Sequence, residues 1–434
     1  MDGSALAWTL IVACSAAILF GLVPAFKISG PHLQDALKDS RSGATRGKKH
    51  ERLRATPIVS EVALACLRLI GAGLLLRSFL RVLDVDLGFQ PSRAAAIQID
   101  YDDRGDPARR GAILEAALRR VSAIPGIESA GIADMLPLDR NRSWGFQAKG
   151  RLYRKGELRG TPVYVVTPGY LGAMGMHLRE RRDFSWRDTP VGERVVVVDE
   201  AAARLHWPGE DPVGRVSLVN GRDTRVIGII SDVRESAVED ASSPEMYLPI
   251  TQAGPEGAEL VVRARLPPEA LGSSVMATLR SMNPGQPAAE FRPIQQIVDH
   301  AVSPRRFLAL LVSAFAALGL ILASLGIYGV VSYSVTRQTQ EIGIRMALGA
   351  TQARVRLGVI ADALRLTLAG IALGTIGSFV AAKSISALLF GIAPTDPPTF
   401  GGIVVLLGAV ALAAGYIPAR RASRIDPIIA LRAN

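Results

Sequence analysis

The sequence predicts a membrane protein with about five transmembrane α-helices and a large α+β extracytoplasmic domain inserted after the second helix. Three observations predict it. Residues 5–26 (ALAWTLIVACSAAILFGLVPAF), 307–336 and 399–419 carry no charge. At about 1.5 Å rise per residue, each is long enough to reach across a hydrocarbon layer of roughly 30 Å. Basic residues crowd into the short segments beside such runs. Between residues 82 and 303 the pattern changes to β-branched runs interleaved with helical repeats.

The first span occupies residues 1–26. Its start, MDGSALAW, has no Lys or Arg and its apolar run is too long for a signal peptide. Ile11-Val12-Ala13-Cys14 has the shape of a lipoprotein cleavage box, but the chain stays apolar well beyond Cys14, which argues against processing there. A basic loop at 27–57 leads to a second span at 58–81, which contains Glu61, Arg68 and Arg77. A charge at mid-bilayer costs about 2.5–3.5 kcal/mol on insertion scales. Glu61 and Arg77 lie near the ends and reach the interfaces; Arg68 must face other helices or water, or the span shifts toward 69–85. After the 82–303 domain, residues 304–434 hold spans at 307–336, 362–383 and 399–419. The fourth is long enough only if Asp362, Arg365 and Lys383 sit at the interfaces.

Charge orients these spans. The chain has 50 Lys and Arg against 39 Asp and Glu, a net charge of +11. Segments 27–57, 336–356 and 418–434 together hold 16 basic and 5 acidic residues, whereas 82–303 holds 27 and 30. Loop 384–398 has no Lys or Arg. Basic excess in short loops marks the cytoplasmic side. The N-terminus and residues 82–303 and 384–398 therefore lie outside, with 27–57, 337–356 and 418–434 inside. Because the charge flanks membrane spans and no binding-fold signature accompanies it, nucleic acid is excluded as a partner.

In the outer domain, AAAIQI (94–99), VYVV (163–166), VVVV (195–198), RVIGII (225–230) and ELVVRA (259–264) read as strands. Helical repeats fall at 107–124, 199–207 and 267–282, with Pro107 and Asp199 suited to helix starts. The result is a mixed α+β domain, which the many Pro/Gly turns allow to be two lobes. Its chemistry is sparse. The histidines, at 32, 50, 177, 206 and 300, show no metal-binding spacing, and no G-x-S-x-G occurs. Asp100, Asp102, Asp103 and Asp106 lack the Gly and terminal Glu of a calcium loop and read as a solvated turn. Trp144, Phe146 and Trp186 read as core. Cys14 and Cys66 fall in predicted spans and imply neither disulfide nor metal site. RSGATRGKKH (41–50) has the wrong spacing for a Walker A loop. No catalytic residue, cofactor or metal is predicted.

Several stretches carry a family resemblance. TRQTQEIGIRMALGATQARVRLGVI and the tail PARRASRIDPIIALR resemble the FtsX-like permease domain of MacB-type ABC transporters. LLLRSFLRVLDVDLGF (74–89), TPGYLGAMGMHLRERRDF (167–184), VVVVDEAAARLHWPGEDPVGR (195–215) and VIGIISDVRESAVEDASSPEMYLPI (226–250) resemble the MacB periplasmic core domain. Arg68 departs from the pattern, as does Arg181, which stands where the family usually carries Gly. Residues 21–38 also match 415–432 at constant offset, through Gly21/Gly415, Pro24/Pro418, Ala25/Ala419, Ser29/Ser423, Ala36/Ala430 and Leu37/Leu431. The chain thus resembles the C-terminal half of an ADOP-type duplicated permease, with residues 1–26 the last span of a preceding unit.

The resemblance implies a permease subunit of an export system in the bacterial inner membrane, with its large domain in the periplasm. ATP would be hydrolysed by a separate ABC ATPase, docked on a coupling helix formed by Glu341, Ile342, Gly343, Ile344, Arg345, Met346, Leu348, Gly349 and Ala350. Ile342 and Met346 recur at helical spacing, with Glu341, Arg345 and Arg354 pointing elsewhere. Arg420, Arg421, Ser423, Arg424, Asp426 and Pro427 carry the tail motif. Movement would pass through the spans to the periplasmic domain. Small residues at Gly71, Ala72, Gly73, Ala316, Gly319, Ala323 and Gly326 suit close helix contacts. A second permease unit is implied, as a homodimer or the missing first half, and a periplasmic adaptor is admitted. The alternative within the same resemblance is a non-transporting FtsX-like module that activates a periplasmic partner.

Overall fold

The computed structural model describes residues 8, 10, 11, 14, 46–100, 107–139, 142–154, 160–234, 237–239, 242–255, 257–286, 289–337, 342, 344–346, 348 and 350–423. Almost all of the predicted first span lies outside the described residues, as do residues 27–45 of the basic loop.

The chain begins with helix α1 (Arg46–Leu83) and continues through β1 (Ala94–Gln98), α2 (Pro107–Ser122), β2 (Ile127–Ala133), β3 (Ser143–Trp144), β4 (Phe146–Ala148) and β5 (Thr161–Val166). Next come α3 (Tyr170–Met174), β6 (Leu178–Arg181), β7 (Val195–Asp199), α4 (Glu200–His206), β8 (Val216–Val219), β9 (Arg222–Ile230) and β10 (Met246–Pro249). β11 (Glu259–Ala264), α5 (Gly272–Met282) and β12 (Arg292–Pro293) complete the outer domain. Helices α6 (Ile294–Arg337), α7 (Gln352–Ser384) and α8 (Pro397–Ala422) follow. Among the described residues, four stretches are long and apolar enough to cross a membrane: Thr56–Leu83, Ile294–Thr336, Gln352–Ser384 and Pro397–Arg421. They contain the predicted second to fifth spans. Two begin well before the uncharged cores: α6 starts 13 residues ahead of residue 307 and runs through Pro304, and α7 starts ten ahead of residue 362. Charged residues are tolerated in a helix once it leaves the hydrocarbon layer.

Two compact units divide the described chain, with boundaries inside the long helices. One gathers the chain up to Cys66 with Gly319–Ile376 and Val404 onward. Here α1 and α7 meet backbone to backbone. A Cβ at Gly370 would lie 2.7 Å from Val62 Cβ, and one at Gly374 2.6 Å from the Ala63 carbonyl oxygen. This is the small-xxx-small packing that holds membrane helices together without a hydrophobic driving force. Among the predicted small residues, Gly326 packs against the Glu61 carboxylate, whereas Gly71 meets nothing within 4 Å. Arg68 is exposed.

The other unit is Leu67–Leu318 with Gly377–Ile403 and contains the outer domain. Its sheet runs β12-β1-β11-β2-β5-β10-β7-β9-β8-β4. The first four strands pair antiparallel and, with α2 and α5, form a split β-α-β lobe. The second lobe, from β3 to β10, is inserted between β2 and β11. The lobes share one sheet through the pair Ala133↔Val166. Asp134 reinforces the joint: its amide donates to the Val165 carbonyl (3.0 Å) and its Oδ1 accepts from Val165 N–H (2.8 Å).

Alternation along the strands explains the layers. Val196, Val198, Val163, Val165, Leu260 and Val262 point to one apolar core shared with α2 and α5. Val195, Val197, Tyr164, Val166 and Val261 point to the opposite core, with α3 and the first turns of α6. A run such as VVVV is therefore buried on both faces, as parallel strand neighbours require; β7 indeed pairs parallel with β9. Asp199 caps α4 by accepting from Ala202 N–H at 2.8 Å. Phe146 is buried, and Trp144 and Trp186 pack partly buried against the first core.

Candidate functional site: the coupling segment and the stems of the outer domain

The coupling segment belongs to the first unit. Leu348 N–H donates to the Ile344 carbonyl (3.0 Å) and Ala350 N–H to that of Arg345 (2.9 Å), so the described part is helical. Ile342 is 5% exposed and packs with Val335 near the end of α6; Met346, Val355 and Val359 close the cluster. Ile344 is 44% and Leu348 83% exposed, and Arg345 is exposed between them. The Ile342/Met346 face thus anchors the segment to the ends of two spans, and the Ile344/Leu348 face is open. Thr351 then starts α7, its hydroxyl accepting from Arg354 N–H. Glu341, Gly343, Ala347 and Gly349 lie outside the described residues. In the tail, Arg421 donates to the Tyr328 hydroxyl (3.3 Å) and Ser423 is buried, donating to the Arg420 carbonyl (3.0 Å). Arg420 is exposed, and Arg424, Asp426 and Pro427 lie outside the described residues.

The stems belong to the second unit. α1 leads into the outer domain and α6 leads out of it. Leu87, just past α1, accepts from Arg234 N–H at 3.0 Å. Arg263 on β11 gathers three carbonyls: Ala173 (3.0 Å), Ser92 (3.0 Å) and Gln90 (2.6 Å). One guanidinium therefore ties the segment after α1 to both lobes. Burial holds the Arg263 pKa below its ordinary value, which marks how far this cation is drawn from water. Sequence reasoning did not single it out, and an Arg inside a β-branched strand was the one available signal.

Among the described residues, no group of three or more His, Cys, Asp or Glu is placed to hold a metal ion. His206 is buried against Phe146, with the Tyr153 hydroxyl 2.8 Å from Nδ1, in a structural setting.

Long apolar helices, a two-lobed outer domain and a short helical segment between two spans are the architecture of an integral-membrane protein with a large extramembrane domain. Residues 72–289 match the MacB-like periplasmic core domain and residues 313–427 the FtsX-like permease C-terminal domain. The chain belongs to the MacB-type family of FtsX-like ABC transporter permeases, multi-pass proteins of the inner membrane with a large periplasmic domain. Among curated relatives, a macrolide export ATP-binding/permease protein MacB of Chromobacterium violaceum is 28% identical over 299 residues, covering 66% of this chain and 45% of that protein. An uncharacterized ABC transporter permease of Bacillus subtilis, YknZ, is 23% identical over 277 residues, covering 62% and 69%. The chain thus spans less than half the length of that MacB relative. The crystal structure of the periplasmic region of MacB from Actinobacillus actinomycetemcomitans covers 50% of this chain and 95% of its own, at 18% identity and a TM-score of 0.35.

Proposed function

We propose that the chain is the permease subunit of a MacB-type ABC export system, in which a separate ATPase docks on residues 341–350 and moves the periplasmic domain through α1 and α6. The two-faced coupling segment carries this reading. Ile342 and Met346 fasten it to helix ends, while Ile344, Arg345 and Leu348 present an apolar pair around a cation to whatever lies beneath the membrane. Ile344 and Leu348, one helical turn apart and both exposed, give a partner an apolar contact beside Arg345. A bland amphipathic helix would instead lay those side chains on the lipid surface. ATP binding belongs to the partner, and a second permease unit completes the arrangement.

The test is co-purification in mild detergent of the tagged parent chain and of the Ile344→Asp/Leu348→Asp variant. Both positions are exposed, so the substitutions remove no buried packing. An ATPase recovered with the parent and lost from a monodisperse variant supports the docking face. An ATPase retained by the variant places the contact elsewhere, and none with either removes the reading. The signalling alternative shares the same drive; accumulation of a cargo in a deletion strain separates it from transport.

A further inference from the structure

The loop between α7 and α8 connects two spans and belongs to neither stem, yet it reaches the outer domain. Its short 3-10 turn at Ser386–Leu388 precedes Phe390, whose N–H donates to the buried Ser78 hydroxyl on α1 at 2.8 Å. The Phe390 ring packs against a small cluster in which Val82 of α1, Val302 of α6 and Val238 of the outer domain are all buried. Arg305 on α6 shares its guanidinium: Nε donates to Glu239 Oε1 at 2.7 Å and a terminal nitrogen to the Leu388 carbonyl at 3.2 Å. Farther along the loop, Asp396 pairs with Arg77 of α1 and accepts from the Thr399 hydroxyl at 2.6 Å.

Val238 and Glu239 end a segment that starts at Ser231, directly after β9. The same segment donates Arg234 N–H to Leu87 (3.0 Å) and pairs Asp232 with Arg204 of α4 (2.5 Å). It therefore touches the exit of α1, the entry of α6 and the second lobe. We infer that the loop 385–396 is a third mechanical seat for the outer domain, bearing on segment 231–239 through Phe390 and Arg305. A shift of α7 or α8 then reaches the second lobe at the junction where α1 and α6 meet segment 231–239, without running along the length of either stem. Close-packed apolar groups resist partial displacement, and a shared guanidinium in a part-buried site ties Glu239 to the loop backbone more firmly than a neutral hydrogen bond does. The inference deepens the reading that the outer domain is moved from the membrane, but its test needs no ATPase.

That test is hydrogen exchange on the full chain in lipid nanodiscs, comparing the parent with Phe390→Ala, Arg305→Gln and the double variant. The inference expects amides in 231–239 to exchange at least tenfold faster in either single variant, with β1 and β11 unchanged. The double variant should be no faster than the faster single, because one seat is lost only once. Unchanged exchange in 231–239 alongside faster exchange in 385–396 overturns the inference, as does a double effect equal to the product of the singles. Arg305→Gln leaves the aliphatic cluster intact and carries the test if Phe390→Ala yields no monodisperse protein. Failure here leaves the ATPase-docking reading standing, and failure of co-purification leaves this one standing.

Discussion

Replacing Arg181 by glycine should stabilise the outer domain. Arg181 ends β6 with φ 67°, in the left-handed region, where the pairing of β6 with β9 is irregular between Leu178 and Glu180. An L-residue there costs about 1–2 kcal/mol from the approach of Cβ to the carbonyl oxygen. Glycine removes that cost but adds unfolded-chain entropy of about 0.5–1 kcal/mol. The net gain is about 0.5–1 kcal/mol, or roughly 1–4 °C in Tm for a domain of this size. Arg181 is exposed, so little packing is lost. Three of the four tryptophans, Trp144, Trp186 and Trp207, lie in the outer domain, so intrinsic fluorescence during heating of the detergent-solubilised chain reads its unfolding. Arg181→Ala removes the same side chain while keeping the backbone demand and should melt within about 0.5 kcal/mol of the parent. A glycine variant that melts with the alanine variant, or below the parent, refutes the reasoning.

Two further outcomes follow from the outer domain. A Cβ at Gly131 would lie 2.3 Å from Tyr170 Cα, so Gly131→Ala forces α3 off β2 and should cost about 2–3 kcal/mol, measured as a Tm loss in the same assay. Burial raises the Asp199 pKa from 3.8 to about 7, with Asp232 adding repulsion and Arg204 and two backbone N–H groups opposing. The folded state therefore binds the proton more tightly than the unfolded chain. That stabilisation is fully present below about pH 3.8 and is lost as pH rises through 7. Asp199→Asn keeps the Oδ1 acceptor for Ala202 and Glu245 without a buried charge. The variant should match the parent near pH 4 and exceed it at pH 8, by of order 4 kcal/mol at most. Equal Tm differences at both pH values would contradict the assignment.

The spans were legible because absence of charge is a one-dimensional signal. Strands buried on both faces, β7 above all, were legible for the same reason. β2 was missed: IESAGIA interrupts its apolar residues with Glu128, Ser129 and Gly131, and Gly131, a weak strand former, is there because α3 crosses the backbone. β10 is only four residues, and β6 carries three charges. The start of α6 was missed because IQQIVDHAVSPRR is amphipathic and its helix continues through Pro304. In the coupling segment, both Ile342/Met346 and Ile344/Leu348 have i,i+4 spacing. Periodicity cannot say which pair faces the spans, and contacts with Val335, Val355 and Val359 decide it. The Phe390 seat left no trace in the sequence, since its contacts join residues from 66 to 312 positions apart.

The account rests on movement carried from an ATPase on the inner side to the periplasmic domain. The most direct measurement is hydrogen exchange of the chain reconstituted with its co-purifying ATPase, with and without trapped nucleotide. The account predicts altered protection beyond the membrane, concentrated in 79–89, 231–239 and 301–305. Nucleotide trapping that leaves all three segments unchanged would contradict it.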